Sequence, residues 1–75
     1  MTLEEFVEAF AEEFDETPAE EFTPDTDFKS LEEWSSLIGM SIIAMAKTEY
    51  GKAITGAELR ACNTVEDVFN VISSK

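Results

Sequence analysis

Residues 33–51 read EWSSLIGMSIIAMAKTEYG, and this stretch predicts a long helix that begins at Ser35 or Ser36 and runs to about Tyr50. A serine favours the start of a helix because its side-chain oxygen accepts a hydrogen bond from an amide of the first turn. Gly51 marks the end, because glycine readily adopts the left-handed conformation that closes many helices. The residues expected on the inward face are Leu37, Met40, Ile43, Ala44, Ala46 and Tyr50.

The N-terminal segment predicts the first helix, at about residues 3–14. Thr2 and Glu5 have the spacing of a capping box, in which each side chain accepts a hydrogen bond from the backbone amide of the other residue. Apolar side chains repeat at helical spacing, and glutamates fill the opposite face. This apolar stripe is expected to pack in the core and consists of Leu3, Phe6, Val7, Phe10 and Phe14.

The C-terminal segment predicts two further helices. Thr55 and Glu58 repeat the capping-box spacing and indicate a short helix that ends near Ala61. Thr64 caps a last helix, whose apolar positions follow the i, i+3, i+4, i+7 pattern: Val65, Val68, Phe69 and Ile72. Strand-like alternation is absent from the sequence. We therefore expect an all-α fold, a small four-helix bundle formed by one domain over residues 1–75.

A long loop separates the first two predicted helices. Between residues 15 and 33 the helical periodicity fades and turn-forming residues appear, including Pro18 and Pro24. A connection of this length in a small domain usually has a function or a special packing role. A short helical turn is expected near residues 20–21, and the residues expected to pin the loop to the core are Phe22, Phe28 and Leu31.

The composition excludes several classes of protein. The chain has no histidine and one cysteine, Cys62, so zinc sites of the usual kind, an internal disulfide and Ser-His or Cys-His nucleophiles are excluded. Asp25 and Asp27 do not form a standard EF-hand, because the loop glycine and the twelfth-position glutamate are missing. No metal site is expected, and most hydrolase mechanisms are excluded. Cys62 is expected to be a small buried or half-buried residue.

The net charge of −12 comes from the first half of the chain. Residues 1–33 hold 13 of the 17 acidic residues and one base, Lys29, whereas residues 34–75 hold four acids and four bases. This charge predicts no binding to nucleic acid or to anionic membranes, and attraction to basic protein surfaces. The longest apolar stretch, residues 42–46, is too short to cross a membrane, and no signal peptide is apparent. A cytoplasmic location is expected, with import into an organelle left open.

Ser35 and Ser36 have two interpretations when they are considered alone. They can simply cap the helix, or one of them can carry a phosphate, because amides and the helix dipole at a helix N-terminus favour negative charge. The surrounding residues favour the second. The stretch Glu33-Trp34-Ser35-Ser36-Leu37, after a long acidic loop, resembles the acyl carrier protein family. The similarity continues at Tyr50-Gly51, Ile54 and Thr64-Val65 and spans essentially the whole chain.

This resemblance implies that Ser36 carries a covalent 4′-phosphopantetheine arm, installed by a phosphopantetheinyl transferase. It implies a non-enzymatic, monomeric carrier of thioester-bound acyl groups, which acyl-transferring or condensing enzymes use as a partner. The pathway is expected to make a fatty acid, a polyketide or a specialised lipid or peptide. By position in the family, the residues implied for a pocket that shelters the acyl chain are Ile43, Ala46, Ile54 and Leu59.

The chain departs from the family in two places. Ser35 replaces the usual aspartate before the modified serine, and the second helix has Ile38, Ser41, Lys47 and Thr48 at positions that are often acidic. The partners are therefore expected either to differ from the general enzymes of fatty-acid synthesis or to dock through more apolar contacts. The candidate partner surface consists of Trp34, Ser35, Leu37, Ile38, Ser41 and Met45. Ordinary burial remains an alternative for Trp34 and Ile38.

Two other functions stay open at this point. The first is an interaction module that keeps the fold but carries no arm, which Ser35 and the missing acids of the second helix favour. The second is an acidic decoy that occupies a basic surface through residues 1–33.

Overall fold

The computed structural model describes residues 2–75 and is all-helical over this range. The four helices are α1 (Leu3–Glu12), α2 (Ser36–Tyr50), α3 (Gly56–Ala61) and α4 (Val65–Ser73). Two short 3₁₀ turns, Ala19–Glu21 and Phe28–Ser30, lie in the long loop between α1 and α2. The predicted four-helix fold is confirmed, and so is the predicted turn near residues 20–21. Among residues 2–75, no helix has the length and apolar character needed to cross a bilayer.

The helix starts follow the predicted capping pattern. Thr2, Thr55 and Thr64 each accept a hydrogen bond from the third residue of the helix that follows, and that residue's carboxylate accepts from the threonine amide. Each capping box therefore satisfies two amides that a helix leaves without intrahelical partners. The carboxylates that complete the boxes belong to Glu5, Glu58 and Asp67.

The end of α1 differs from the prediction by two residues. The helix ends at Glu12, whereas the apolar stripe predicted that it would run to Phe14. The amide of Phe14 bonds to the carbonyl of Ala11 at 3.0 Å, three residues back, so the last turn is tighter than an α-helix. The Phe14 side chain still packs in the core at 5% exposure, which explains why the stripe extends beyond the helix.

An aromatic cluster forms much of the core. Phe6 and Phe10 of α1 are fully buried, and Phe28 of the loop meets Phe10 edge-on with 5.2 Å between ring centroids. Phe22 packs against Phe14 at 4.9 Å, so the loop contributes two aromatic side chains to the core. Leu31 packs against the cluster as well. The prediction that these three loop residues pin the loop to the core is confirmed.

The inward face of α2 was predicted with the wrong phase. Leu37, Met40 and Ala44 are exposed, whereas the buried residues of this helix are Gly39, Ile42, Met45 and Ala46. Of the predicted set, Ala46 is buried and Ile43 and Tyr50 pack partly buried against the core. The error has a physical cause: from residue 37 to residue 46 only Ser41 is polar, so the sequence contains almost no polar face to orient the helix.

Backbone and side-chain hydrogen bonds also fasten the long loop. The carbonyls of Thr26 and Pro24 accept from the amides of Val65 and Glu66 at 3.2 and 3.0 Å, which satisfies two first-turn amides of α4. Lys29 Nζ donates to the carbonyl of Arg60 at 2.8 Å, near the end of α3. The loop therefore connects α1 to both C-terminal helices. Cys62 is buried, as expected, and is not part of a disulfide.

We expect Gly51→Ala to lower the free energy of unfolding by about 1 kcal/mol, because an L-residue with a side chain is disfavoured in the left-handed region. Gly51 ends α2 with φ of 65°, and an added Cβ would meet nothing within 4 Å, so the cost is conformational. Urea denaturation monitored by circular dichroism measures the difference.

Gly56→Ala is the matched control. An added Cβ at this position would approach only the flexible end of Arg60, at 3.3 Å, and the helix gains a better helix former. We expect no loss of stability there. Equal losses in the two variants would contradict the left-handed conformation of Gly51.

Candidate functional site

Ser36 is the first residue of α2 and is exposed. The preceding Ser35 is the N-cap, and its hydroxyl accepts from the amide of Ile38 at a long 3.4 Å. The first backbone hydrogen bond of the helix runs from the amide of Gly39 to the carbonyl of Ser35. The Ile38 amide is thus capped, whereas the amides of Ser36 and Leu37 make no hydrogen bond among residues 2–75. They precede the hydrogen-bonded turns and point towards the space beyond the helix start, which favours a negatively charged group there.

Ser36 lies on a cleft between α2 and α3 with a volume of about 290 Å³. The wall from α2 follows the i, i+3, i+4, i+7 positions that begin at Ser36. The facing wall follows the i, i+3, i+4 positions of α3 that begin at Gly56. Together with Trp34, the lining residues are Ser36, Gly39, Met40, Ile43, Gly56, Leu59 and Arg60. The helical spacing of these residues is a signal from which the cleft could have been predicted.

The structure separates the four predicted pocket residues into two groups. Ile43 and Leu59 line the cleft beside Ser36. Ala46 and Ile54 are 0% and 3% exposed and lie in the hydrophobic core, not among the cleft residues. Met40 and Arg60 also line the cleft but were not predicted to do so. Met40 was expected to face inward, and the charge of Arg60 gave no apolar signal.

Trp34 forms one side of the cleft and also covers the aromatic core. Its ring lies edge-on to Phe28 with 4.9 Å between centroids, and it stacks at 6.4 Å from Phe14. Two atoms of the indole ring would lie 3.5 and 3.6 Å from a Cβ built on Gly39, which are ordinary van der Waals distances, so the ring packs directly against this part of α2. Trp34 is partly buried, and it connects the packed loop to the start of α2.

The rest of the candidate partner surface is divided between surface and core. Leu37 is 76% exposed, and Ser35 is exposed beside it. Ile38 and Ser41 are partly buried, and Ile38 packs against the core. Met45 is only 4% exposed, so the expectation that it lies on the surface is wrong. Met40, at 67% exposure, supplies the exposed methionine instead, three residues after Leu37 on the same helix.

Glu33 fastens the chain immediately before the site. Its two carboxylate oxygens accept from the amides of Asp15, Glu16 and Thr17 at 2.7, 3.0 and 2.9 Å, and from the Thr17 hydroxyl at 2.8 Å. Loss of hydration raises the pKa of Glu33, but these four hydrogen bonds together outweigh that effect and hold the pKa below its ordinary value. The segment after α1 is thereby tied to the segment that leads to Ser36.

We expect Glu33→Gln to lower the thermal unfolding midpoint at pH 7 by several degrees, because an amide group cannot accept all four hydrogen bonds. A carboxyl whose pKa is depressed in the folded state stabilises the fold above its unfolded-state pKa and loses that effect as the pH falls through the folded-state pKa. The difference in unfolding midpoint between the parent protein and the variant should therefore narrow as the pH falls below about 4.5, the ordinary pKa of this carboxyl. Calorimetry between pH 7 and pH 3 measures both effects.

Glu32→Gln is the matched control, because it removes the same charge from the neighbouring residue and Glu32 makes none of these hydrogen bonds. Its midpoint at pH 7 should stay unchanged or rise slightly, since one negative charge leaves an acidic surface. Identical midpoints for the two variants across the pH range would show that charge number, and not the hydrogen bonds of Glu33, accounts for the effect.

The residues at the start of α2 are suited to a phosphate ester. Ser36 offers an exposed hydroxyl, and the first-turn amides and helix dipole stabilise the negative charge that a phosphodiester would bring. The cleft beside it offers an apolar surface from Ile43 and Leu59. This combination fits a covalently attached phosphopantetheine group.

A family model described as the phosphopantetheine attachment site matches residues 4–72 of the chain. The match includes all of α2 and α3 and extends to Ile72 in α4. No curated protein and no solved structure in the comparisons matches the chain. Domains of this family are not catalytic and serve as attachment sites for the covalent 4′-phosphopantetheine group. With nearly its full length matched, the chain belongs to the phosphopantetheine attachment site family.

Proposed function

We propose that the chain is an acyl carrier protein in which Ser36 is the residue that bears the arm. The observation that carries the proposal is the position of Ser36, exposed at the first turn of α2 and on the edge of an apolar cleft. Ser35, the only adjacent serine, uses its hydroxyl to cap the helix. The family match supports a carrier role, and the resemblance of residues 33–37 to the acyl carrier motif supports this serine.

The arm would supply a terminal thiol, on which acyl intermediates are held as thioesters. The chain's own contribution is to hold the attachment point rigidly and to present it to enzymes. Glu33 and Trp34 fix the backbone just before Ser36 through four hydrogen bonds and two aromatic contacts. A tethered acyl group then reaches each enzyme at a high effective concentration, so the carrier promotes a reaction sequence without performing chemistry itself.

The cleft offers an apolar surface that would remove part of the acyl chain from water. Its apolar side chains, Met40, Ile43 and Leu59, lie on the same cleft as Ser36, and transfer of apolar surface from water contributes about 25 cal/mol per Å². A volume near 290 Å³ suits a short acyl chain. Ala46 and Ile54 lie in the core, and they would contact a chain only if the cleft opened further.

The expected partners are a phosphopantetheinyl transferase and acyl-transferring or condensing enzymes. Glu49 is the only acidic residue in α2, and it lies near the end of the helix far from Ser36. Leu37 and Met40 expose apolar surface near the attachment point. We infer that partner enzymes contact this helix mainly through apolar pockets, with methionine adapting its shape to each of them. The pathway would be fatty-acid, polyketide, or specialised lipid or peptide synthesis in the cytoplasm.

Intact mass spectrometry tests the proposal. The protein is incubated with coenzyme A and a broad-specificity phosphopantetheinyl transferase, and the product is then fragmented to locate the modification. We expect a single mass increase of one phosphopantetheine group on the peptide that contains Ser36. No increase with any of several transferases, or an increase located at another residue, would contradict the proposal.

An unmodified interaction module is the second candidate. Ser35 stands where the family usually has an aspartate that engages the transferase, and the exposed Leu37 and Met40 would bind a partner without an arm. In that case Ser36→Ala would keep full partner binding and cellular function, whereas replacement of Leu37 and Met40 with serine would abolish both. If the chain is a carrier, Ser36→Ala would instead abolish its cellular function, because the arm could no longer be attached.

A further inference from the structure

The positive charges of this chain are few, and most of them are engaged in the fold. Of its five basic residues, Lys29 and Lys52 donate to main-chain oxygens at 2.8 and 2.7 Å, and Lys75 forms a salt bridge with Glu58 at 2.9 Å. Lys47 lies exposed in the last turn of α2, away from the cleft. Among residues 2–75, Arg60 is the only base that lines the cleft beside Ser36.

The guanidinium group of Arg60 is not used by the fold. Within residues 2–75 it makes no ion pair, and none of the side-chain hydrogen bonds involves its nitrogens. The backbone of Arg60 is held in place, because its carbonyl accepts the hydrogen bond from Lys29 Nζ. The side chain passes along α3 close to Gly56, where the small residue leaves room for it.

We propose that Arg60 binds the phosphodiester of the arm and thereby positions the arm over the cleft. This inference rests on the proposed attachment at Ser36. A phosphodiester bonded to the Ser36 oxygen cannot leave the cleft edge, whereas an acyl group at the far end of a flexible arm spends time elsewhere. The first-turn amides of α2 would meet the phosphate from one side and the guanidinium from α3 would meet it from the other.

Electrostatics give a reason for a base at this position. The chain carries a net charge of −12, so each added anion is repelled by the protein as a whole. Guanidinium suits the task, because its planar set of donors matches phosphate oxygens in pairs and stays charged at every physiological pH. Arg60 would thus be a positioning residue that favours conformations of the arm lying along Met40 and Ile43.

The test uses nitrogen-15 NMR, because Arg60 is the only arginine in the chain and gives one unambiguous Nε–Hε signal. Spectra are recorded of the apo-protein and of the holo-protein, whose arm is verified on Ser36 by intact mass. We expect the Nε–Hε signal to shift and its exchange with water to slow on conversion to the holo form. The phosphorus-31 signal of the arm should shift in Arg60→Gln and stay unchanged in Lys47→Gln, the matched loss of one positive charge.

Three outcomes overturn the inference. An unmoved Nε–Hε signal in verified holo-protein overturns the role of Arg60 while leaving the carrier function intact. A signal that moves only when the arm bears a carboxylated acyl group, such as succinyl, and not when it bears acetyl, assigns Arg60 to the cargo instead of the phosphodiester. Absence of any arm on Ser36 overturns this inference and the proposed attachment together.

Discussion

Ser36→Ala is expected to lose the phosphopantetheine mass increase completely, whereas Ser35→Ala is expected to keep it. The two serines are neighbours, but their hydroxyls have different surroundings. The Ser35 hydroxyl is the N-cap and accepts a hydrogen bond from the amide of Ile38. The Ser36 hydroxyl is exposed and lies one residue further on, in the first turn of the helix. Both residues are exposed, but only the Ser36 hydroxyl makes no hydrogen bond among residues 2–75. A transferase that approaches the start of α2 therefore meets Ser36 as the hydroxyl that plays no part in the cap.

The folded state of Ser36→Ala should be preserved. Alanine is the strongest helix former, and the Ser36 side chain takes part in none of the hydrogen bonds of residues 2–75. Ser35→Ala removes a cap with a long 3.4 Å contact, so its cost should lie near the lower end of the usual range, about 0.5 kcal/mol. Circular dichroism of both variants before the loading assay separates a lost attachment site from a lost fold.

The measurement is the intact mass of the parent and the two variants after identical loading reactions. A fully loaded Ser36→Ala protein would place the arm elsewhere and refute the assignment. Loading that fails in the parent but appears in Ser35→Asp would show that the missing aspartate, and not the serine, limits the reaction. Aspartate is also a good N-cap, so this variant should retain the helix start.

The sequence predicted the helices and their starts well because those signals are local. A capping box depends on two residues three positions apart, and the predicted boxes at Thr2 and Thr55 are both present in the structure. Thr64 caps α4 as predicted, and Asp67 completes a third box that was not predicted. Ser35 and Gly51 mark the ends of α2 for the same reason. The amphipathic α1 and α4 were oriented correctly, since each has a distinct polar face.

Two features of the site depend on contacts that no local pattern contains. The orientation of α2 is decided by which apolar side chains fit against the aromatic cluster, so Met45 is buried and Met40 exposed although both are methionines on one helix. Glu33 contacts residues 15–17, an interaction that sequence spacing alone does not predict. Both features depend on how the loop packs, because the loop carries Glu33 and contributes Phe22 and Phe28 to the aromatic cluster.

Phe28→Ala is expected to lower the free energy of unfolding by about 3–5 kcal/mol, the usual range for removal of a buried phenylalanine. Phe28 is fully buried and joins Phe10 of α1 to Trp34 before the site, with ring distances of 5.2 and 4.9 Å. A domain of 75 residues has roughly 4–11 kcal/mol of stability in total. The substitution should therefore remove a large part of that stability, and the unfolding midpoint should fall by roughly 15 °C or more.

Phe69→Ala is the matched control, because Phe69 contacts Phe6 at 5.8 Å but is only partly buried. Its cost should be about half as large, since less apolar surface is returned to water. Trp34 is the only tryptophan, so its fluorescence reports on the site in the folded state. A red shift in Phe28→Ala below its unfolding midpoint, absent from Phe69→Ala, would show that the loop aromatic supports the segment before Ser36. Equal losses of stability and no red shift would mean that Phe28 acts only as bulk core, and that the Glu33 hydrogen bonds and the Trp34–Phe14 contact position the site without it.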